Sequence, residues 1–383
     1  MKKQDIAGLL AYIVILALAA VFGLVVIRSY ASSGRSNMET GIFILFVLGS
    51  IVAGLVGNAI IFELSHMLGA KIGGYAITSV SILGFTWVKE EGKVHFRFSS
   101  FDGLTGETKI LPIEGRKKPS NPIPYLITGT LIYALEVVGV VFAFSLLTKE
   151  GNPSNLSNIG YFLLIFMAVG GMILLYNIIP FQLDSMTDGY RLRLVSGKKN
   201  KDAFNAMLLG KTVEEMEKDN QAVSSKNNSF SSNLKINEVY KLLETDNYVE
   251  AEQLVDEILN SEDSDKKVTG KVLLNVKSLK IFLLFVNQQD AAIEYCEKNI
   301  PLRDRKELSD ENDLVALRSY LLIAGLVDKS KSEAVRTLDR VYKAYKHTPE
   351  NRRALESKLF NKALEIVSEK HPEWEINEYR INL

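Results

Sequence analysis

Four runs of apolar residues, each long enough to cross a bilayer, constrain this chain more than any other feature of its sequence. A membrane-spanning helix needs about 20 mainly apolar residues, because the hydrocarbon core is about 30 Å thick. Ile6–Ile27, Gly41–Phe62 and Ile159–Pro180 carry no charge, and Pro122–Leu147 carries one, Glu136. The first run follows Lys2 and Lys3 and precedes Ser29-Tyr30-Ala31, so a cleaved signal peptide competes with an anchor. Its length of 22 residues exceeds the signal core of about 7–15, which favours the anchor. The spans are therefore set at about 6–27, 41–63, 122–147 and 159–180.

Basic residues between the spans give the orientation. Leu64–Asn121 holds eight Lys or Arg, and Arg191, Arg193, Lys198, Lys199 and Lys201 follow the fourth span. Ser29–Thr40 holds only Arg35, and Thr148–Asn158 only Lys149. Both termini are thus expected in the cytoplasm, with the chain multi-pass in the cell membrane. The second half is an ordinary charged sequence. Overall, 45 basic residues balance 45 acidic ones, so no bulk charge draws the chain to nucleic acid. Cys296 is the only cysteine, which excludes an internal disulfide and suits a reducing compartment.

Between the second and third spans the pattern changes. Thr78–Val88 is rich in β-branched and aromatic residues, a turn follows at Glu90-Glu91-Gly92-Lys93, and Val94, Phe96 and Phe98 then alternate with His95 and Arg97. A β-hairpin over about 77–98 is expected, with His95 on its solvated face. Phe101–Gly106 is a glycine-rich turn without nucleotide-loop spacing. Thr212–Asn220 looks helical, and the Ser/Asn-rich Ala222–Asn233 marks a domain boundary. Beyond it, amphipathic helices open near Asp246, Gln289 and Lys331, and Ala251, Ala292 and Ala334 recur at 41–42-residue intervals. Each follows another apolar helix, most plainly Val272–Val286. Helix pairs at this period suggest a tetratricopeptide-like array; an irregular helical bundle is the plainer alternative.

Two segments at the expected cytoplasmic edge could carry chemistry. Phe62-Glu63-Leu64-Ser65-His66 closes the second span, and Asn177-Ile178-Ile179-Pro180 with Asp184 and Asp188-Gly189 closes the fourth. Residues three or four apart share a helix face. Zinc proteases use this spacing for two histidine ligands and a glutamate that activates the metal-bound water.

On these residues the chain resembles the site-2 proteases, intramembrane zinc metallopeptidases with HExxH and NxxPxxxxDG signatures, over about residues 41–205. It is most similar to a bacterial branch with a β-hairpin between the motifs. The resemblance implies Glu63 as general base, His66 as a ligand, Asp188 or alternatively Asp184 as the carboxylate ligand, and Asn177 and Pro180 as the other motif positions. Two departures count against zinc. Phe62 stands where the first histidine belongs and has no lone pair to offer. Five residues after Pro180 comes Ser185, so neither aspartate is in register. A catalytic zinc takes three protein ligands and water.

Two further polar groups lie within spans. A charge at mid-span costs about 2.5–3.5 kcal/mol on insertion scales, so Glu136 should face the bundle interior, with Asn58 as a partner. Glu63 and His66 could also be no more than the polar end of a helix.

The expected architecture is mainly α. A polytopic four-helix membrane domain with an inserted cytoplasmic β-hairpin spans 1–205, a helix and linker occupy 206–233, and a soluble tetratricopeptide-like repeat domain occupies 234–383. The expected function is a degenerate pseudo-protease that binds a membrane client and recruits a protein partner through its repeats. Two alternatives remain: an active zinc endopeptidase cleaving a transmembrane substrate, and an accessory subunit of a transporter that uses Glu136.

Overall fold

The computed structural model describes residues 13, 14, 17, 21–28, 37–90, 92–98, 105–113, 115, 118–147, 158–180, 187–219, 229–260, 270–311, 313–348 and 350–381. It is mainly helical with one small antiparallel sheet, and it divides into two compact units that meet in the sequence at Leu209 and Gly210.

The first unit contains three helices long and apolar enough to cross a membrane: α1 (Asn37–Gly73), α2 (Pro122–Leu147) and α3 (Asn158–Ile178). Most of the expected first span lies outside the described residues. Residues 21–28 are helical, and Val26 is buried beside Phe43, Val47, Tyr161 and Ile165. Helix α1 does not stop at residue 63. Its 37 residues extend about 55 Å at 1.5 Å per residue, so Glu63 and His66 lie inside the helix rather than at its polar end.

Small residues let the three helices approach closely, as is usual where lipid supplies no hydrophobic drive between helices. A Cβ on Gly69 would sit 2.4 Å from the Pro124 carbonyl oxygen on α2, and one on Gly57 would sit 2.6 Å from the Phe166 ring on α3.

Between α1 and α2 stands a four-stranded sheet rather than a lone hairpin. Strands β1 (Tyr75–Ile82), β2 (Phe85–Glu90), β3 (Lys93–Phe98) and β4 (Gly106–Pro112) are antiparallel in the order β3-β2-β1-β4. The single strand expected over 78–88 is broken at Leu83-Gly84. Both residues have positive φ (50° and 90°), the signature of a tight primed hairpin turn, and Ile82 pairs with Phe85 across it. Strand β4 was not expected and begins at Gly106, the last residue of the glycine-rich turn; Phe101–Leu104 lie outside the described residues. His95 is exposed. After α3 come α4 (Asp188–Leu194) and α5 (Lys198–Leu208), and Asn205 on α5 accepts from the Tyr75 hydroxyl at 2.6 Å and donates to the Ser120 carbonyl at 2.8 Å.

The second unit is entirely helical among its described residues: α6 (Val213–Lys218), α7 (Ser229–Glu244), α8 (Tyr248–Asn260), α9 (Gly270–Asn287), α10 (Gln289–Asn299), α11 (Leu302–Asp310), α12 (Leu314–Leu322), α13 (Lys331–His347) and α14 (Glu350–Lys370). Thr212 and Glu215 form a reciprocal capping box at α6. The boundary assigned to residues 222–233 ends early. Ser229–Asn233 belongs to α7, because Phe230 and Leu234, one turn apart, are both buried; residues 222–228 lie outside the described ones. Helix α8 packs on α7 and α9, α10 on α9, and α13 on α12, while α14 also covers α12. Ala251, Ala292 and Ala334 are fully buried on α8, α10 and α13.

The tight α1–α2 crossing gives a direct test. A Gly69→Val side chain would meet backbone rather than a yielding side chain, and overpacking of this kind costs about 1–3 kcal/mol. The variant should unfold at lower temperature in detergent than the parent, while Gly41→Val, with open space around it, should not.

Candidate functional site

The candidate site lies where one face of α1 meets α2, β4 and the start of α4. Phe62 and His66 stand one helical turn apart on α1. Phe62 is buried against Gly129 of α2, and the His66 ring lies 5.4 Å from that of Tyr125, one turn earlier on α2. The two helices are antiparallel here, so the pair Phe62/His66 stacks on the pair Gly129/Tyr125.

His66 Nε2 lies 3.0 Å from Asp188 Oδ2, across 122 positions of sequence. Asp188 is delivered by a compact turn. Thr187 donates its hydroxyl to the Ile179 carbonyl at 2.7 Å and accepts from Tyr190 N at 3.3 Å, capping α4. Asp188 therefore sits in the first turn of that helix, where a carboxylate suits the dipole. Gly189 is required by close approach, because a Cβ there would lie 1.9 Å from the Ile178 carbonyl oxygen. Burial pushes the Asp188 carboxyl up, but the charge of His66, the hydrogen bond to it and the charge of Arg191 outweigh burial and hold it below its ordinary value.

Glu63 is 1% exposed, and its carboxyl is turned toward the sheet. Thr105 donates to Oε1 at 3.2 Å and Thr108 to Oε2 at 2.7 Å, while His66 Nδ1 lies 3.7 Å from Oε2. Tyr125 donates its hydroxyl to the Thr108 carbonyl at 2.8 Å. The imidazole thus stands between two carboxyls, and β4 closes the site from the side of Glu63.

The other sequence-nominated residues are not drawn into this cluster. Asn177 lies in the last turn of α3, and Pro180 is exposed just beyond the end of that helix. Asp184 lies outside the described residues. Asn58 does not pair with Glu136. Its side-chain nitrogen donates to the Gly54 carbonyl at 2.9 Å and to the Phe166 carbonyl at 3.0 Å. Both carboxyl oxygens of Glu136 are buried with no partner among the described residues.

The zinc implied by the resemblance does not fit these residues. His66 Nε2 and Asp188 Oδ2 converge, but Phe62 offers no donor and both oxygens of Glu63 accept from threonines. Among the described residues, no group of three or more His, Cys, Asp or Glu side chains is placed to hold a metal. A resident catalytic zinc takes three protein ligands and keeps a fourth position open.

Sequence reasoning missed Thr105, Thr108 and Tyr125. The alternation of β4, with Thr108 and Ile110 buried and Lys109 and Leu111 outward, was the available signal.

The hold of Thr108 on Glu63 can be measured. Thr108→Val leaves a buried acceptor short of a partner, which costs about 1–3 kcal/mol. Its thermal midpoint should fall measurably further than that of Thr108→Ser, which keeps the hydroxyl.

The chain matches no family model, no curated protein and no solved structure in comparison with each.

Proposed function

We propose that this chain is a catalytically disarmed, site-2-protease-like protein of the cell membrane. Both termini face the cytoplasm, the membrane unit holds a partner's transmembrane segment, and the helical second unit serves as a tetratricopeptide-like array that recruits a protein partner. The observation that carries the reading is the meeting of His66 and Asp188 at 3.0 Å. Two short motifs, nominated together by one family pattern, come to hydrogen-bonding distance although 122 positions separate His66 from Asp188 in sequence. The disarming follows from chemistry: Phe62 cannot ligate, and Glu63 is occupied by Thr105 and Thr108 rather than free to activate water. The buried alanines of α8, α10 and α13 support the array, because a small side chain at each recurrence permits close helix approach.

Zinc analysis of the detergent-purified full chain tests this. The parent should carry zinc at background level, unchanged in His66→Ala. Phe62→His places a second imidazole one turn from His66, and that variant should gain zinc toward one atom per chain and lose it again when His66→Ala is added. Near-stoichiometric zinc in the parent, lost in His66→Ala, makes the chain an active zinc endopeptidase instead. Failure of Phe62→His to gain zinc overturns the family reading.

A second reading, the transporter accessory subunit, is favoured by Glu136 alone, whose unpartnered carboxyl within a span is the kind of group found on ion pathways. An ion flux in vesicles carrying the chain, abolished by Glu136→Gln but not by Glu63→Gln, would replace the first reading with this one.

A further inference from the structure

Strands β2 and β3 form a hairpin whose two faces differ sharply. Cross-strand pairing sets Phe85 opposite Phe98, Trp87 opposite Phe96 and Lys89 opposite Val94, and alternate residues of a strand share a face. The apolar side chains of that face are between 41% and 70% exposed. Their rings pack on one another, with centroids 5.6 Å apart for Phe85 and Phe98 and 5.5 Å apart for Trp87 and Phe96. On the other face Thr86 is buried and donates to Ser81 Oγ at 2.8 Å. A contiguous aromatic patch of this kind marks an interaction surface rather than ordinary surface scatter.

The patch has a fixed depth. Strand β1 leaves the end of α1 and doubles back beside that helix. Its first residue, Tyr75, pairs with Pro112, and its last, Ile82, pairs with Gly106; a Cβ on Gly106 would sit 3.2 Å from Glu63 Cγ. Leu83 N donates to the Thr105 carbonyl at 2.8 Å, and the Thr105 hydroxyl donates to Glu63. The Leu83-Gly84 turn therefore lies level with Glu63, about 15 Å back along α1 from Gly73, where the uncharged run Gly41–Phe62 ends. From there β2 runs away from the span, so Phe85 and Phe98 lie deepest, Trp87 and Phe96 next, and Lys89 outermost. Over the same depth of α1, Leu64, Leu68 and Ile72 are exposed, and their spacing makes them one apolar stripe.

We infer that this hairpin is an interfacial anchor whose aromatic face lies in the headgroup–acyl boundary of the bilayer, on the Glu63 side of the spans. The order Phe, Trp, Lys along the hairpin follows the polarity gradient of that boundary. Aromatic rings gather at the headgroup level, and lysine stems run along apolar surface to place their charge in water. A dry protein contact imposes no such order. Lipid surrounds the whole unit, which also accounts for the apolar stripe of α1 at the same depth; a partner confined to the hairpin face accounts only for the hairpin. The inference rests on α1 crossing a membrane and needs nothing from the protease likeness.

The test is tryptophan fluorescence of the full chain reconstituted in phosphatidylcholine vesicles. The chain's two tryptophans are Trp87 and Trp374, so Trp374→Phe leaves Trp87 as the one emitter. Lipid brominated near the carbonyl end of its acyl chains should quench that emission about twofold relative to unbrominated lipid, and lipid brominated near the methyl end should quench it less, as a ring at the headgroup level requires. Phe96→Glu combined with Phe98→Glu, both at exposed positions, should lose most of the quenching and shift the emission to the red. If Trp374→Phe does not fold, the difference between the parent and Trp87→Phe reports the same ring. Absence of quenching overturns the inference, whether the emission is red, from a ring in water, or blue, from a ring covered by a second copy or another protein. Stronger quenching by the methyl-end bromines, or quenching unchanged in the double variant, overturns it as well.

Discussion

Burying Glu63, His66 and Asp188 together is tolerable only because each finds a partner, and the partners come from four different elements. Desolvating an ionisable group without such compensation would cost more than most single packing contacts return. Helix α1 supplies Glu63 and His66, β4 supplies Thr108 with Thr105 just before it, α4 supplies Asp188, and Tyr125 of α2 both flanks the imidazole and anchors the Thr108 carbonyl. The cluster acts as a polar pin through otherwise apolar helices. It fixes how far α1 slides along α2, and it determines where the chain re-enters the unit after α3. The close contacts at Gly69 and Gly189 follow from it, since neither the helix crossing nor the Asp188 turn could tighten around a side chain at those positions.

The same satisfaction that makes the pin stable is what supports the disarmed reading proposed above. A general base must face its substrate with a free lone pair, and a catalytic metal needs an open coordination position. Here the lone pairs of Glu63 are directed at hydroxyls, and the Nε2 of His66 is directed at a carboxyl. Phe62 completes the exchange. Where a ligand would have to leave the helix interface to reach a metal, a phenyl ring instead fills the space over Gly129.

Three of the four expected apolar helices are present among the described residues and were legible from length and hydropathy alone, because a bilayer imposes both. The pairing of His66 with Asp188 was legible only through the motif pattern, and the sequence left Asp184 and Asp188 as alternatives; what favours Asp188 physically is Gly189, whose lack of a side chain lets the turn press on Ile178. What stayed hidden depended on non-local contacts. Thr105 and Thr108 lie 42 and 45 positions from Glu63, and nothing near them in sequence advertises a buried carboxyl. Strand β4 was not anticipated, because only the glycine-rich turn at Phe101–Gly106 was recognised before the third span, and Ser229–Asn233 was assigned to the linker because serine and asparagine outnumber the one residue, Phe230, that anchors it in the core. Asn58 was expected to partner Glu136, whereas its amide donates to the carbonyls of Gly54 and, on α3, Phe166.

Comparing the two buried polar clusters sharpens what each unit is for. In the membrane unit, the carboxyl of Glu63 and the imidazole of His66 are spoken for, and folding alone accounts for their arrangement. In the helical unit, Arg318 and Glu356 are buried as an ion pair in which only one hydrogen bond is made, and Arg318 Nε and Nη2 and Glu356 Oε1 have no partner among the described residues. Such a pair replaced by apolar residues is often neutral or stabilising, so stability does not explain why it is kept. The cluster that looks like an enzyme is therefore complete as structure, whereas the ion pair of the helical unit leaves donors and an acceptor unmet within a packed core.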